Sequence, residues 1–168
     1  MNYKALNNLA TMFFDSAEHF PQKPFLWAKR NGKYISGSYS ETKNKVQLLA
    51  DSLHQLGVEK GDRVVVVSEN RPEWVIADLA IISLGGITVP AYTTNTTDDH
   101  LYILDHSEAK IAIVSGEKLA VRLMNAMSKS ASCKTIISIE ELSSDVAVSY
   151  THLRAHETRE DRGCPGLG

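Results

Sequence analysis

The sequence predicts an α/β fold: a mostly parallel sheet with helices on both faces, preceded by an N-terminal helix and a β-hairpin. Three observations carry this. "RVVVVS" (Arg63 to Ser68) is too apolar to expose either face of a strand, as parallel interior strands are. Helical and extended patterns then alternate regularly to Ile139. Finally, "KRNGKY" puts Asn31-Gly32 between two short alternating runs, and that pair accepts positive φ at both turn positions.

The elements follow in order. Leu6, Leu9, Met12, Phe13 and Ala17 fall at helical spacing, so Ala5 to His19 reads as a helix ended by Pro21 and Pro24. The hairpin comes next, and Ser36-Gly37-Ser38 reads as a strand end. Ser40 is the expected N-cap of the second helix. Its apolar face is Val46, Leu49, Ala50, Leu53 and Leu56. Gly57 fits the left-handed position after a helix, with Val58 folding back on Leu53. The valine strand leads into "NRPEWVIADLAIISLGG", where Pro72 suits a first turn and Glu73 its positive dipole end. This helix is apolar nearly all round, as expected of a buried crossover. Gly85-Gly86 stops it before the short strand "ITVPAY". Thr96 or Thr97 caps the next helix, with Asp98 and Asp99 in its first turn. Strand Ile111 to Ser115, helix Glu117 to Met127, begun at Gly116, and strand Thr135 to Ile139 complete the series.

The 168 residues suit one domain of ordinary size, and 43% apolar residues suffice for a core. A net charge of -2 gives no electrostatic case for nucleic acid. Two cysteines, Cys133 and Cys164, make no disulfide framework and point to a reducing, cytoplasmic setting. No run approaches the ~20 apolar residues of a membrane span, and peripheral membrane contact is left open.

Chemistry-bearing motifs are sparse. Neither G-x-G-x-x-G nor G-x-x-x-x-G-K-[ST] occurs, and Ser115-Gly116-Glu117 is too short to cradle phosphates. Asp98 and Asp99 are adjacent on a helix and do not face each other, so they read as dipole-stabilising residues. His100 and His106, six apart, share no helical face and read as surface or partly packed histidines. Cys133 reads as a structural thiol. In parallel sheets, ligands sit beyond the carboxyl ends of the strands. The loops there supply the candidate substrate-side residues Asn70, Arg71, Trp74, Tyr92, Thr93 and Thr94. Two readings of them stand open. In one, Trp74 is a core anchor and Arg71 is solvated; in the other, Arg71 or the threonine hydroxyls face a ligand. No catalytic, cofactor-binding or metal-ligating residue is assigned.

One ordered set of residues goes further: Gly57, Gly61-Asp62-Arg63-Val64, Asn70, Pro72-Glu73-Trp74, Gly85-Gly86, Val89-Pro90, Tyr92, Thr94 and "HSEAKIAIV". Together these resemble the N-terminal part of the AMP-forming acyl-CoA synthetases, in the adenylate-forming superfamily. The resemblance covers about Phe14 to Leu142, and "NRPEW" followed by "VPAYTT" leans toward the long-chain fatty-acid branch. It implies a truncated fatty-acid–CoA ligase. The intact parent would use ATP and magnesium to convert a long-chain fatty acid to acyl-AMP, then pass the acyl group to coenzyme A. The family's phosphate loop, Tyr-Gly-x-Thr-Glu segment, ribose-binding Asp and C-terminal lysine do not occur here. The chain is therefore expected to be a partial domain, inactive alone and binding no ATP, magnesium or coenzyme A by itself. Alternatives are another adenylate-forming ligase (aryl or short-chain acid, or a peptide-synthetase adenylation domain) and a non-catalytic α/β binding module.

The C-terminal stretch stands apart. From Val148, "VSYTHLRAHETREDRGCPGLG" has no helical or strand period. "SYTHLRAHET" resembles a peptide found at the ends of unrelated predicted proteins, where it looks like translated sequencing-adapter DNA. The expected division is residues 1–147, the N-terminal part of the large AMP-binding domain, and 148–168, a non-native disordered tail.

Overall fold

Turn chemistry and residue period translate directly into elements in the computed structural model, which describes residues 8–143. They are α1 (Leu9–His19), β1 (Pro24–Arg30), β2 (Lys33–Ser38), α2 (Tyr39–Gln55), β3 (Arg63–Val67), α3 (Pro72–Ser83), β4 (Ile87–Ala91), α4 (Thr97–Ser107), β5 (Ile111–Val114), α5 (Glu117–Met127) and β6 (Thr135–Ser138). The start expected for the first helix at Ala5, and the tail from Val148, lie outside the described residues.

Asn31 and Gly32 both have positive φ, 50° and 79°, so β1 and β2 close as the expected antiparallel hairpin. The N-cap of α2 is Ser38, not the Ser40 expected. Glu41 stands three residues after Ser38, so each residue's side chain accepts a hydrogen bond from the other's backbone N–H in a capping box. Ser40 lacks that return partner and lies inside the helix. At the far end, Gly57 has φ 85° and donates to His54 O, while Val58 N donates to Leu53 O at 3.0 Å. Both bonds of the anticipated Schellman closure are present. Thr96 and Asp99 form a second capping box at α4.

The main sheet has the order β4-β3-β5-β6, all parallel. β4 lies on its edge, which tolerates Pro90 because that residue has no N–H to donate to a second neighbour. Side-chain alternation splits the core in two. Val64, Val66, Ile111, Ile113 and Ile137 pack with buried residues of α1, α2 and α3 on one face. Val65, Val67, Ala112, Val114 and Ile136 pack with α4 and α5 on the other. α3 is the buried crossover between β3 and β4; Ile76, Ala77, Leu79, Ala80 and Ile81 are inaccessible or nearly so.

This order places the site. The chain leaves β3 toward β4 on one side and leaves β5 toward β6 on the other. The carboxyl ends of β3 and β5 are adjacent, so their loops diverge and leave a crevice, the usual ligand position in open α/β sheets.

Candidate functional site

Three loops converge at that crevice: Ser68–Arg71 after β3, Tyr92–Thr96 after β4, and Ser115-Gly116 after β5. An open groove of ≈ 460 Å³ is lined by Glu69, Thr93, Thr94, Lys118, Leu119 and Arg122. Its far wall is the first two turns of α5, which carry Lys118 and Arg122 on one face by their i, i+4 spacing.

Hydrogen bonds fix the groove. The Ser115 hydroxyl donates to Glu69 Oε2 at 2.6 Å. That bond, the chief cause, holds the Glu69 carboxyl below its ordinary value, so it is ionised at neutral pH. Arg122 Nη1 donates to the Thr93 and Asn95 carbonyls at 3.2 and 3.0 Å. One guanidinium thus ties the threonine loop to α5. Arg71, in the loop after β3, donates through Nε to Glu73 at 2.8 Å and through Nη1 to Glu140 at 2.6 Å. These bonds raise its already high pKa further. Burial pushes Glu73 upward, but its bond from Arg71 and the nearby positive charges leave it below its ordinary value. Glu140 lies so close over Gly116 that a Cβ there would stand 2.6 Å from Glu140 Oε2.

The six candidate residues separate. Thr93 and Thr94 line the groove. Tyr92 is 81% exposed, and Asn70, on the loop after β3, is exposed as well. Arg71 is partly exposed and paired with two carboxylates, Glu73 and Glu140. Trp74 packs on the α1–α3 face of the sheet, away from the groove residues of α5. Glu69, Ser115, Lys118, Leu119 and Arg122 were missed. The available signal was the pair Lys118 and Arg122, one turn apart in the helix that follows a buried strand.

Two further expectations meet the structure differently. Cys133 is buried, and burial pushes its thiol up to about 11, as suits a structural residue. His100 is neither on the surface nor partly packed: it is 0% exposed, and neither ring nitrogen has a partner among the described residues. Packing of α4 against α5 covers it, which α4's own spacing does not reveal. His106 is exposed and stacks on Tyr102, ring centroids 5.3 Å apart.

The groove can therefore present two threonine hydroxyls, a carboxylate and two cations to a polar ligand. Among the described residues no three His, Cys, Asp or Glu side chains group as metal ligands.

A sequence-family model described as "AMP-binding enzyme" matches residues 13–162. The chain belongs to the AMP-binding enzyme family. The match extends past Ala147 into the segment expected to be a tail. Among curated members, a long-chain-fatty-acid–CoA ligase of Mycobacterium tuberculosis is 34% identical over 105 residues, 62% of this chain and 18% of that protein. Long chain acyl-CoA synthetase 3 of Arabidopsis thaliana is 30% identical over 138 residues, 79% of this chain and 21% of that protein. The chain thus spans about a fifth of the length of these AMP-binding relatives. A crystal structure of a benzoate CoA ligase from Burkholderia xenovorans LB400 superposes with TM-score 0.71 at 29% identity, over 80% of this chain and 26% of that one. A putative long-chain-fatty-acid CoA ligase from Rhodopseudomonas palustris shares the fold, with TM-score 0.72 at 20% identity over 83% of this chain and 34% of that one.

Proposed function

We propose that this chain is the N-terminal part of the large domain of a fatty-acid–CoA ligase. The intact parent activates a long-chain fatty acid with ATP to acyl-AMP and transfers the acyl group to coenzyme A. The observation that carries the long-chain assignment is the identity of 30–34% to curated ligases named for long-chain substrates, across a segment that includes "NRPEW" and "VPAYTT". The AMP-binding family membership supports an adenylate-forming parent. Benzoate–CoA ligase, at 29% identity, supports a second reading in which the acid is aromatic.

The residues present do not fit a magnesium–triphosphate site. That charge needs converging backbone N–H groups, a metal and a lysine. The groove has one lysine, Lys118, but it also carries the Glu69 carboxylate, and its arginine donates through Nη1 to two backbone carbonyls. No step of adenylation is assigned to these residues, and the 168-residue chain is expected to be inactive alone. In this reading ATP, magnesium and coenzyme A are held by later segments of a cytoplasmic parent. Asn70, Arg71, Tyr92, Thr93 and Thr94 then belong to loops that support the acid-binding side, while Trp74 anchors α3 behind them.

The test is pyrophosphate release by the full-length parent and by this chain, given ATP and magnesium with acids from acetate to oleate, followed by thioester formation on adding coenzyme A. Turnover by the parent with oleate and none by this chain is expected. A parent that prefers benzoate transfers the reading to the aromatic branch. A parent that adenylates no acid refutes both.

A further inference from the structure

The stretch from the end of β4 to the first turn of α4 is held by little besides His100. From Tyr92 to Asp99 no residue is buried; Ala91 and His100 are the buried residues that bound it. Its own bonds are local: Thr96 and Asp99 close an exposed capping box, and Asn95 N donates to Tyr92 O. β4, which precedes it, lies at the sheet edge against β3. Among the described residues, the side-chain hydrogen bonds that reach the stretch from outside come from one group, Arg122, to the Thr93 and Asn95 carbonyls. His100 is the fourth residue of α4. The next buried anchor of that helix, Leu104, lies one turn further on. The charged groups that act on the His100 ring are Arg122, from α5, and Asp99, its own neighbour. On α5, Glu117 instead accepts from Ser143 N and Lys118 lines the groove. The sheet face below presents Val65, Val67, Ala112, Val114 and Ile136, none of which titrates. Cys133, in the same core, stays a neutral thiol because burial pushes it up to about 11.

We propose that Tyr92 to His100 is a pH-operated flap on the groove, with the His100 ring as its plug and the Arg122 guanidinium as its clasp. Closed, the ring sits neutral inside the fold, since charging it there would bury a second cation near Arg122. To open, only the first turn of α4 need unwind and Arg122 let go of two carbonyls, while Leu104 keeps the rest of the helix seated. Segments with few buried contacts and exposed bonds open locally, well below the free energy of global unfolding. Once open, the ring reaches water and takes up a proton at its ordinary 6.5, whereas the closed ring resists it. The open form therefore binds more protons, and opening grows as pH falls below 6.5. Thr93 and Thr94 line the groove, so opening withdraws its threonine wall. The inference does not depend on the ligase reading, since it uses only this stretch and the two groups that hold it.

The test is amide hydrogen exchange of the 168-residue chain, read by NMR from about pH 7.5 to about pH 5.5 and corrected for the intrinsic pH dependence of exchange. The amides of Asn95, Thr96, Asp99 and His100 should be far less protected than those of Val64 to Val67 in β3. Low urea should barely change them, as for an opening that exposes little surface. Below pH 6.5 their protection should fall by up to about tenfold per pH unit, one proton per opening. Amides of the β1–β2 hairpin, which can open without exposing His100, should keep theirs. His100→Leu should abolish the pH dependence of the flap. Thr96→Ala keeps the histidine and gives a second reading should His100→Leu misfold: protection should drop roughly fivefold at every pH, with the slope retained. Flap amides that match β3 in protection and urea dependence overturn the proposal, because His100 would then be released by global unfolding alone. A pH slope that survives His100→Leu overturns it too, as does a flap whose protection in the unsubstituted chain ignores pH.

Discussion

His100 should make the stability of this chain depend on pH in a window where little else does. Its ring is fully buried, and neither ring nitrogen has a hydrogen-bond partner among the described residues. Burial, and secondarily the positive charge of Arg122, push its pKa below the ordinary 6.5; the Asp99 carboxylate opposes them without prevailing. The sign follows. Below pH 6.5 the unfolded chain takes up a proton that the folded chain resists, so the unfolded state binds more protons and stability falls as pH falls. The stability is fully present above 6.5 and is lost from there down toward the folded value. One proton sets the limiting slope at about 1.4 kcal/mol per pH unit. The carboxylates Glu41, Asp62, Glu69, Glu73 and Asp99 are all held below their ordinary 4.5 or 3.8. Their contributions are present above those values and lost only at lower pH. Urea unfolding from about pH 7.5 to about pH 5 therefore isolates the histidine. His100→Leu should flatten the profile across that range. At the upper end it should be as stable as the parent or more so, by up to about 1–3 kcal/mol, because two unpartnered buried nitrogens are removed. An unchanged slope in the variant would refute the reasoning. A variant weaker by more than about 2 kcal/mol at neutral pH would show that His100 makes a hydrogen bond of real value.

Other outcomes test the local arguments. Ser38→Ala should lower stability by about 1 kcal/mol, read from the urea midpoint, whereas Ser40→Ala should change it by less than about 0.5 kcal/mol. Leu53→Ala removes a fully buried side chain beside the Val58 closure and should lower stability by about 2–5 kcal/mol at unchanged fold by circular dichroism. In a Cys164→Ser background, Cys133 should resist a thiol reagent at about pH 8 until denaturant is added, since the folded thiol is pushed up to about 11; rapid labelling of the folded chain would contradict its burial.

The sequence alone determined the features that depend on near neighbours in the chain. Positive φ at Asn31-Gly32, the closure at Gly57 and Val58, a cap at Thr96 or Thr97 and the fully apolar β3 each follow from a few adjacent residues, and the family resemblance follows from their order. The misplaced cap marks the resolution of such reasoning: Ser38 and Ser40 are alike as residues, and only the Glu41 spacing distinguishes them. Tertiary structure decided what depends on distant partners. Whether β5 pairs with β3 or with β4 is a choice between segments of similar apolarity, and that choice puts Ser115 against Glu69. The carbonyls that Arg122 holds lie 27 and 29 residues away in the chain. The burial of His100 comes from another helix, and the period of α4 carries no record of what covers it. Side-chain period reports which face of an element is apolar; the neighbour that face meets, and the polar groups trapped between them, are settled by packing.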